Sequence, residues 1–413
     1  VKSMKESTTS IPESEDQRTE SYREEGKCSR LESSASLPGE CDEVLELRDR
    51  KSRKRRVRVS DTEENPKPKK RRVTKNGGYF EKEVHLFDDS QFLQHFRVSR
   101  QVATDVARRF AASEKYKGDS GPYGNISALE QTLVFLWFAG HQTGSFRQVA
   151  DRFKITISSL HRITRRLTYF LCSLSESEIR WPTQNEKAII AKRFGDMGFL
   201  NAIGAIDGCH VRIGRPSENH TSFINRKKYY SIQFQATCDD KLRITSLFVG
   251  CPGSLPKGQV FRSSPLYESL PDKCGDYFIL GDNAYPCSRN LVTPFRDAGA
   301  ALTWRQKRFN KTLGKCKTSI ENCLGLLKQK FRQLRHCKIR NHDTIVDFIK
   351  ACCVLHNLAI GDDFPESATD GELEDVIQPV PEEEGDDDGD DEDQDDPDGT
   401  DFRNFLLTNN IFD

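Results

Sequence analysis

The sequence has no long apolar run and no paired-cysteine motif, and both absences exclude classes of protein. The longest apolar run, near residues 132–139, falls far short of the roughly 20 residues that a membrane helix needs. The first 40 residues contain no apolar stretch of the kind found in secretory signals. None of the 13 cysteines forms a Cys-x-x-Cys pair, which argues against zinc fingers and disulfide frameworks. We therefore expect no membrane segment, no secretory signal and reduced thiols.

A phosphate-binding loop of the Gly-x-x-x-x-Gly-Lys-Ser/Thr type is also missing. The nearest match has Phe309 in place of the first glycine, and Cys316 follows Gly314 and Lys315 where a hydroxyl residue belongs. The sequence therefore gives little support for a nucleotide-hydrolysing enzyme.

The formal net charge of zero hides an uneven distribution of charge along the chain. Residues 362–413 contain 22 acidic residues and one basic residue, so residues 1–361 carry a basic surplus of 21. A surplus of this size indicates a polyanionic partner, most simply nucleic acid. The acidic tail, 362–413, is expected to be disordered and to compete with DNA for the basic surface. Its last segment, 402–412, has some apolar character and is a candidate for docking onto another surface.

Residues 1–83 are predicted to be a disordered basic segment, because their composition cannot bury enough apolar surface to offset the loss of chain entropy. Two basic clusters lie in it, at residues 51–56 and 66–73. The second cluster follows a proline and resembles a nuclear-import signal; its charged residues are Lys67, Lys69, Lys70, Arg71 and Arg72. It predicts an import receptor as partner and a nuclear location, with the cytoplasm as a second compartment. A solvated or phosphate-binding run of charge is the alternative.

Residues 84–195 are predicted to form a helical region. Apolar spacing predicts a helix over residues 90–112. A second helix is marked by the capping-box pattern from Ser127 to Glu130, and its apolar run ends at Gly140.

Two more helices are predicted at residues 145–153 and 157–171, and a short turn joins them. This is helix-turn-helix spacing, in which the second helix contacts DNA. The residues predicted to contact DNA from that helix are His161, Arg162, Arg165 and Arg166. An ordinary helical hairpin with a solvated basic face is the alternative.

Residues 196–361 are predicted to form a mixed α/β domain, because strand-like runs alternate with loops and are followed by helices. The strands are expected at 200–213, 229–238, 244–249 and 277–280, and the helices at 318–334 and 344–359. A domain of this length is large enough for one good core.

Asp207 stands alone in an apolar stretch, residues 204–213, that suits a central strand of a covered sheet. A buried, ionised carboxylate is costly unless a cation or hydrogen-bond donors offset its loss of hydration. Two explanations are open at this point. Asp207 either forms an ion pair with a neighbouring Lys or Arg, or it is a metal ligand.

Two further carboxylates are candidates for the same site. Asp282 follows an apolar strand in a Gly-Asp-Asn sequence, where an aspartate is also a common turn former. Glu321 lies at the border of the apolar stripe of a helix, and Gly325 leaves room beside it one turn later. An exposed helical glutamate without a role is the alternative for Glu321.

The three carboxylates together predict a metal site. Hard oxygen ligands of this kind bind Mg²⁺ or Mn²⁺, and two such ions can promote cleavage of a phosphodiester bond. Basic residues near Glu321 are expected to contact the DNA backbone; they are Lys315, Lys317, Lys328, Lys330, Arg332 and Arg335.

Five motifs in order also carry a family resemblance. They are Gly-Ala-Ile-Asp-Gly-Cys-His-Val at 204–211, Gly-Cys-Pro-Gly-Ser at 250–254 with Val-Phe-Arg-Ser-Ser at 260–264, Leu-Gly-Asp-Asn-Ala-Tyr-Pro at 280–286, Ser-Ile-Glu at 319–321 and Cys-Val-Leu-His-Asn at 353–357. They resemble the catalytic domain of the PIF/Harbinger transposases and the harbinger-transposase-derived nucleases. The region of resemblance is about residues 202–359.

This resemblance implies an RNase H-like fold and a DDE site in which Asp207, Asp282 and Glu321 hold divalent ions. It also implies DNA as substrate and a separate Myb-like DNA-binding partner protein, and it is compatible with an oligomer. The upstream helical region resembles the helix-turn-helix segment of the family.

One position departs from the family pattern. The family usually has His-Asp after its Pro-Gly-Ser, whereas this chain places Lys257 where the Asp is expected. Two functions therefore stay open: a metal-dependent endonuclease, and a domesticated nuclear DNA-binding or adaptor protein that keeps the fold without cutting. His210 and the pair His356 and Asn357 are left out of the predicted catalytic set, since hydrogen bonding in the core explains them as well.

Overall fold

The computed structural model describes residues 79–116, 119–121, 124–142, 145–297, 301–362 and 395–409. The predicted import clusters and most of the acidic tail lie outside the described residues. Within these residues, no helix has the length and apolar content to span a membrane.

The described chain begins with three short helices, and the second and third stand where one was predicted. They are α1 (Tyr79–Lys82), α2 (Asp89–Phe96) and α3 (Arg100–Ala111), with a 3-10 turn at Val84–Leu86. The prediction of one helix over 90–112 is wrong because Arg97 has a left-handed backbone, with φ of 66°, and ends α2. Ser99 then caps α3 by accepting a hydrogen bond from Val102 N.

The next helix lies in the middle of the helical region. A two-stranded antiparallel ribbon, β1 (Asp119–Gly121) and β2 (Gly124–Ile126), precedes α4 (Ala128–Gly140). The predicted capping box is present, because the Ser127 and Glu130 side chains each bond the backbone of the other. Residues 131–140 are all buried, so α4 is surrounded by protein rather than by water.

The predicted helix pair is present with nearly the expected bounds. It consists of α5 (Phe146–Arg152) and α6 (Ile157–Ser173), and Ser145 and Thr156 cap their N-termini with side-chain oxygens. The short α7 (Ser175–Glu178) and the longer α8 (Gln184–Asp196) follow.

A five-stranded mixed sheet follows the helices. Its strands are β3 (Ala202–Arg212), β4 (Ser231–Cys238), β5 (Ile244–Pro252), β6 (Phe278–Leu280) and β7 (Leu291–Val292), arranged in the order β5-β4-β3-β6-β7. The strands β3, β4 and β5 are antiparallel, whereas β6 and β7 run parallel to β3. The central strand is therefore β3, as the apolar stretch around Asp207 predicted.

Helices cover the sheet and complete a mixed α/β architecture. They are α9 (Lys257–Arg262), α10 (Pro265–Cys274), α11 (Trp304–Lys330) and α12 (His342–Leu358), with 3-10 turns at His220–Phe223 and Arg332–Leu334. The helices α8 and α11 pack on β3, and α12 packs on β5 and α6. The buried residues from Tyr79 to Leu406 form one continuous core. The predicted domain boundary between residues 195 and 196 lies within this continuous core. The division into two domains there stays a prediction.

A last helix, α13 (Pro397–Asn409), packs against β7 and α11. Arg403 of this helix is buried, and it donates hydrogen bonds to Pro294 O at 3.0 Å and to Asp395 Oδ2 at 3.0 Å. The expectation of a disordered tail therefore does not hold for residues 397–409. The apolar character of residues 402–412 did indicate docking of this segment, and Leu406 of α13 is buried.

Candidate active site

The two aspartates lie side by side because of the parallel pairing of β3 and β6. Ala205 pairs with Leu280, and each aspartate stands two residues further along its own chain. Backbone amides hold both carboxylates: Gly208 N donates to Asp207 Oδ1 at 2.8 Å, and Ala284 N donates to Asp282 Oδ1 at 3.0 Å. Asp282 is therefore both a turn former and a member of the site.

The ammonium group of Lys257, at the start of α9, lies between these carboxylates. Its Nζ is 2.9 Å from Asp282 Oδ2 and 3.3 Å from Asp207 Oδ1. The Lys257 side chain is only 7% exposed and each aspartate 13%. The alternative explanation for Asp207, an ion pair with a basic residue, is what the structure contains.

A second lysine joins the glutamate to this pair. Lys317 Nζ, on α11, lies 3.5 Å from Asp282 Oδ2 and 3.8 Å from Asp207 Oδ2. One helical turn later, Glu321 Oε1 is 3.4 Å from the same nitrogen, but the Glu321 side chain is 51% exposed. The structure thus brings Asp207 and Asp282 into one buried cluster and leaves Glu321 at its solvent side.

Burial and the lysines shift the pKa values of the two aspartates in opposite directions. Burial raises the pKa of Asp282, but Lys257 and Lys317 outweigh it and hold this pKa below its ordinary value. Burial raises the pKa of Asp207 above its ordinary value, because the lysines lie further from its oxygens and the charge of Asp282 is close. Burial lowers the pKa of Lys317, yet the two aspartates more than compensate and raise it. The cluster therefore favours an ionised Asp282 beside a protonated Lys317.

The residues present do not fit the divalent ions that the DDE family implies. An ion bound by Asp207 and Asp282 needs their oxygens at about 2.1 Å, and the Lys257 ammonium already contacts those oxygens. Among the residues that the structure describes, no three His, Cys, Asp or Glu side chains are arranged to hold a metal ion.

The residues predicted to contact DNA from α6 lie mostly at its surface. His161, Arg162 and Arg165 are exposed and Arg166 is half-buried, while Leu160, Ile163 and Leu167 are buried on the opposite face. The His161 ring stacks on Phe146 of α5, with centroids 4.3 Å apart. The helix pair is therefore packed together on one side and presents a basic face on the other.

The basic residues near Glu321 separate into different environments. Lys328 and Arg332 are half-buried. Lys330 is 1% exposed and donates to Ala359 O at 2.9 Å, so the expectation that it contacts DNA is wrong. Lys317 lies in the carboxylate cluster rather than on an open DNA-facing surface.

The pair His356 and Asn357 is part of the core, as expected. His356 Nε2 hydrogen-bonds with Leu242 O at 2.8 Å. The Asn357 side chain accepts a hydrogen bond from Ile244 N and donates one to Ile244 O. His210 Nδ1 lies 3.1 Å from Ser231 Oγ.

Lys257 was placed near the site from the sequence, because it stands where the family has an acid. Its contact with both aspartates was not predicted. The family departure does not show by itself that the lysine reaches both aspartates.

A mixed sheet with a buried aspartate on its central strand, a second just after the parallel neighbour and a glutamate on the helix beside them is consistent with a DDE-type domain. A family model described as DDE superfamily endonuclease matches residues 206–357. That segment begins one residue before Asp207 and ends at Asn357, so it includes all three acids.

Similar proteins identify the family within this superfamily. The rat protein named "Putative nuclease HARBI1" is 30% identical over 245 residues, which are 57% of this chain and 68% of the rat protein. Its human counterpart is 29% identical over 63% of this chain and 74% of its own length. "Protein ALP1-like" of Arabidopsis thaliana is 24% identical over 66% of this chain and 71% of its own length. The chain belongs to the harbinger transposase-derived nuclease family of the DDE superfamily. No solved structure matches it.

Proposed function

We propose that this protein is a nuclear DNA-binding protein of the DDE superfamily, which holds duplex DNA with α6. The observation that carries the proposal is the outward basic face of that helix, formed by His161, Arg162 and Arg165. The second helix of a helix-turn-helix typically enters the major groove, and basic side chains on it contact base edges and phosphates. The buried face of α6 keeps the helix fixed to the body, so its basic face is presented rigidly.

Other observations support the same proposal. The basic surplus of residues 1–361 suits a polyanionic partner. The sheet order β5-β4-β3-β6-β7, with three antiparallel strands and two parallel ones, supports an RNase H-like fold. Lys328, near the end of α11, and Arg332, in the 3-10 turn that follows, are further basic residues that we include in the proposed DNA contact.

Fluorescence anisotropy with a labelled duplex tests this proposal. We expect the double variant Arg162→Ala with Arg165→Ala to bind DNA more weakly. The plot of log association constant against log salt concentration should become less steep, by up to about two. Arg108→Ala is the control, since Arg108 is an exposed arginine of another helix, α3. An equal loss in the control, or no loss in the double variant, would contradict the assignment of α6.

Metal-dependent cleavage of DNA is the second candidate, favoured by the convergence of Asp207, Asp282 and Glu321 and by the nuclease names of the relatives. It requires a two-metal site with Mg²⁺ or Mn²⁺, which these residues do not fit in their present arrangement. Incubation with supercoiled plasmid and either ion tests it. Nicking that disappears in Asp207→Asn would establish cleavage, and nicking that persists would come from a contaminant.

The partners and location follow from the sequence alone and are part of the proposal. We expect an import receptor to bind the cluster at residues 66–73, which directs the chain to the nucleus. A fluorescent fusion in which Lys69, Lys70, Arg71 and Arg72 are changed to alanine should remain in the cytoplasm. A Myb-like partner protein and an oligomer are expectations from the family, and copurification with size-exclusion chromatography tests both.

A further inference from the structure

The Lys257 ammonium stands between the two aspartates at the point where a shared divalent cation would bind. It contacts Asp282 Oδ2 at 2.9 Å and Asp207 Oδ1 at 3.3 Å. A Mg²⁺ ion shared by these carboxylates would bind their oxygens at about 2.1 Å. Lysine and metal ion therefore compete for the same oxygens.

The surrounding backbone fixes Lys257 in this position. The lysine begins α9 directly after Pro256, and the loop before it is fastened by a hydrogen bond from Gly253 N to Ser231 O at 3.0 Å. The absence of a side chain at Gly208 leaves room for the lysine stem, whose Cγ would lie 3.2 Å from a Cβ there. The contact is therefore built into the packing and does not depend on a long side chain moving in water.

The charges of the cluster already balance. Asp207 and Asp282 contribute two negative charges, and Lys257 and Lys317, each in contact with both aspartates, contribute two positive charges. A divalent ion would add two positive charges to a largely buried group, and only the half-exposed Glu321 would be left to offset them. Uncompensated charge is strongly unfavourable in a buried site.

We infer that Lys257 replaces the divalent cation at the Asp207 and Asp282 pair, so that this site takes up neither Mg²⁺ nor Mn²⁺. The two lysines hold the middle of β3, at Asp207, to the chain just after β6, at Asp282. The residues remain those of a nuclease site, but the chain keeps them as an ion-paired structural cluster. This inference does not rest on the basic face of α6, because binding of metal and binding of DNA are measured separately.

Electron paramagnetic resonance of Mn²⁺ mixed with the full-length chain tests the inference. The carboxylates of residues 363–394 also attract Mn²⁺, so the decisive quantity is the difference between the unmodified chain and Asp207→Asn. We expect the two proteins to bind the same number of ions at every Mn²⁺ concentration. A bound ion that the unmodified chain holds and Asp207→Asn loses would overturn the inference.

Removal of the Lys257 charge tests whether this lysine is what excludes the divalent ion. Lys257→Met keeps most of the stem but removes the charge, so we expect it to gain one Mn²⁺ ion per chain. That ion should be lost again when Asp207→Asn is added, and a folded Lys257→Met that gains no ion would overturn the inference. Lys311→Met, which changes an exposed lysine of α11, is the matched control and should gain no ion.

Thermal unfolding keeps the test decisive if Lys257→Met does not fold. The unmodified chain and Asp207→Asn should then respond equally to added Mn²⁺. A larger rise in the melting temperature of the unmodified chain would show that Asp207 binds the ion and would contradict the inference.

Discussion

Gly208 and Lys257 are matched to one another: a Cβ at position 208 would lie 3.2 Å from Lys257 Cγ. The same Cβ would lie 3.0 Å from Gln233 Nε2 on the neighbouring strand β4. Both distances are shorter than an ordinary van der Waals contact between such atoms. The glycine that follows Asp207 is therefore part of what allows a lysine to reach the two aspartates.

The first prediction concerns this close contact. Gly208→Val should lower the free energy of unfolding by about 1–3 kcal/mol, because the added methyl groups force the Lys257 stem or Gln233 out of place. Urea denaturation measures the change.

Gly325 of α11 provides the contrasting control. No atom lies within 4 Å of a Cβ built there, and alanine is favoured over glycine inside a helix. Gly325→Ala should therefore raise the free energy of unfolding by about 1 kcal/mol. If Gly208→Val were as well tolerated as Gly325→Ala, the matching of Gly208 to Lys257 would be wrong.

The positions of Asp207 and Asp282 could be predicted because each follows from local sequence. A lone acid in an apolar stretch indicated the central strand, and Gly-Asp-Asn indicated the end of another strand. Their adjacency needed only that the two strands be neighbours. The contact of Lys257 with both could not be predicted, because it depends on the path of the loop that crosses from β5 to α9.

Other differences also have physical reasons. The helix α11 begins at Trp304, whereas the sequence predicted a start near residue 318. The start was missed because the first half of the helix is rich in Lys and Arg and has few apolar residues. The break at Arg97 requires a left-handed backbone in a residue other than glycine, which sequence rarely signals. Apolar residues in 402–412 indicated docking of the last segment, but the buried contacts of Arg403 could not be predicted from composition.

The second prediction concerns His356 and acid. This side chain is completely buried, and burial lowers its pKa to about 4. In the unfolded chain its pKa is about 6.5, so between these values the unfolded state binds the proton and the folded state does not. Stability should therefore fall as the pH drops from about 6.5 to about 4, by at most about 3 kcal/mol from this group.

Urea denaturation at a series of pH values checks this dependence. His356→Gln, which keeps a donor for Leu242 O, should show a shallower loss of stability between the two pH limits. His336, whose pKa burial also lowers to about 4, should retain its own part of the dependence. An unaltered profile in His356→Gln would argue against a neutral, buried His356.

The third prediction concerns the attachment of α13. Arg403→Met removes the donors to Pro294 O and Asp395 Oδ2, which should weaken the docking of this helix by about 2 kcal/mol. Hydrogen exchange should then become faster in residues 397–409 and stay unchanged in β3. Asn404→Ala, at an exposed position of the same helix, should leave the exchange rates as they are. Equal protection in Arg403→Met would mean that apolar contacts alone hold α13.

The last prediction concerns the acidic residues that precede α13. The chain is anchored on both sides of residues 363–394: Asp362 Oδ2 accepts from Ser99 N at 2.7 Å, and Asp395 pairs with Arg403 at 3.0 Å. The carboxylates between these anchors are therefore tethered to the basic body at a high local concentration, where they can compete with DNA phosphates.

Replacing every Asp and Glu in residues 382–393 with Asn and Gln removes this competition while leaving α13 and its anchor intact. We expect tighter DNA binding at low salt, measured by fluorescence anisotropy, and a difference that shrinks as salt rises, because competition and binding are both electrostatic. A variant with the order of these residues shuffled keeps the charge and should bind like the unmodified chain. Equal affinity of the neutralised and unmodified chains at low salt would mean that the acidic residues do not compete with DNA.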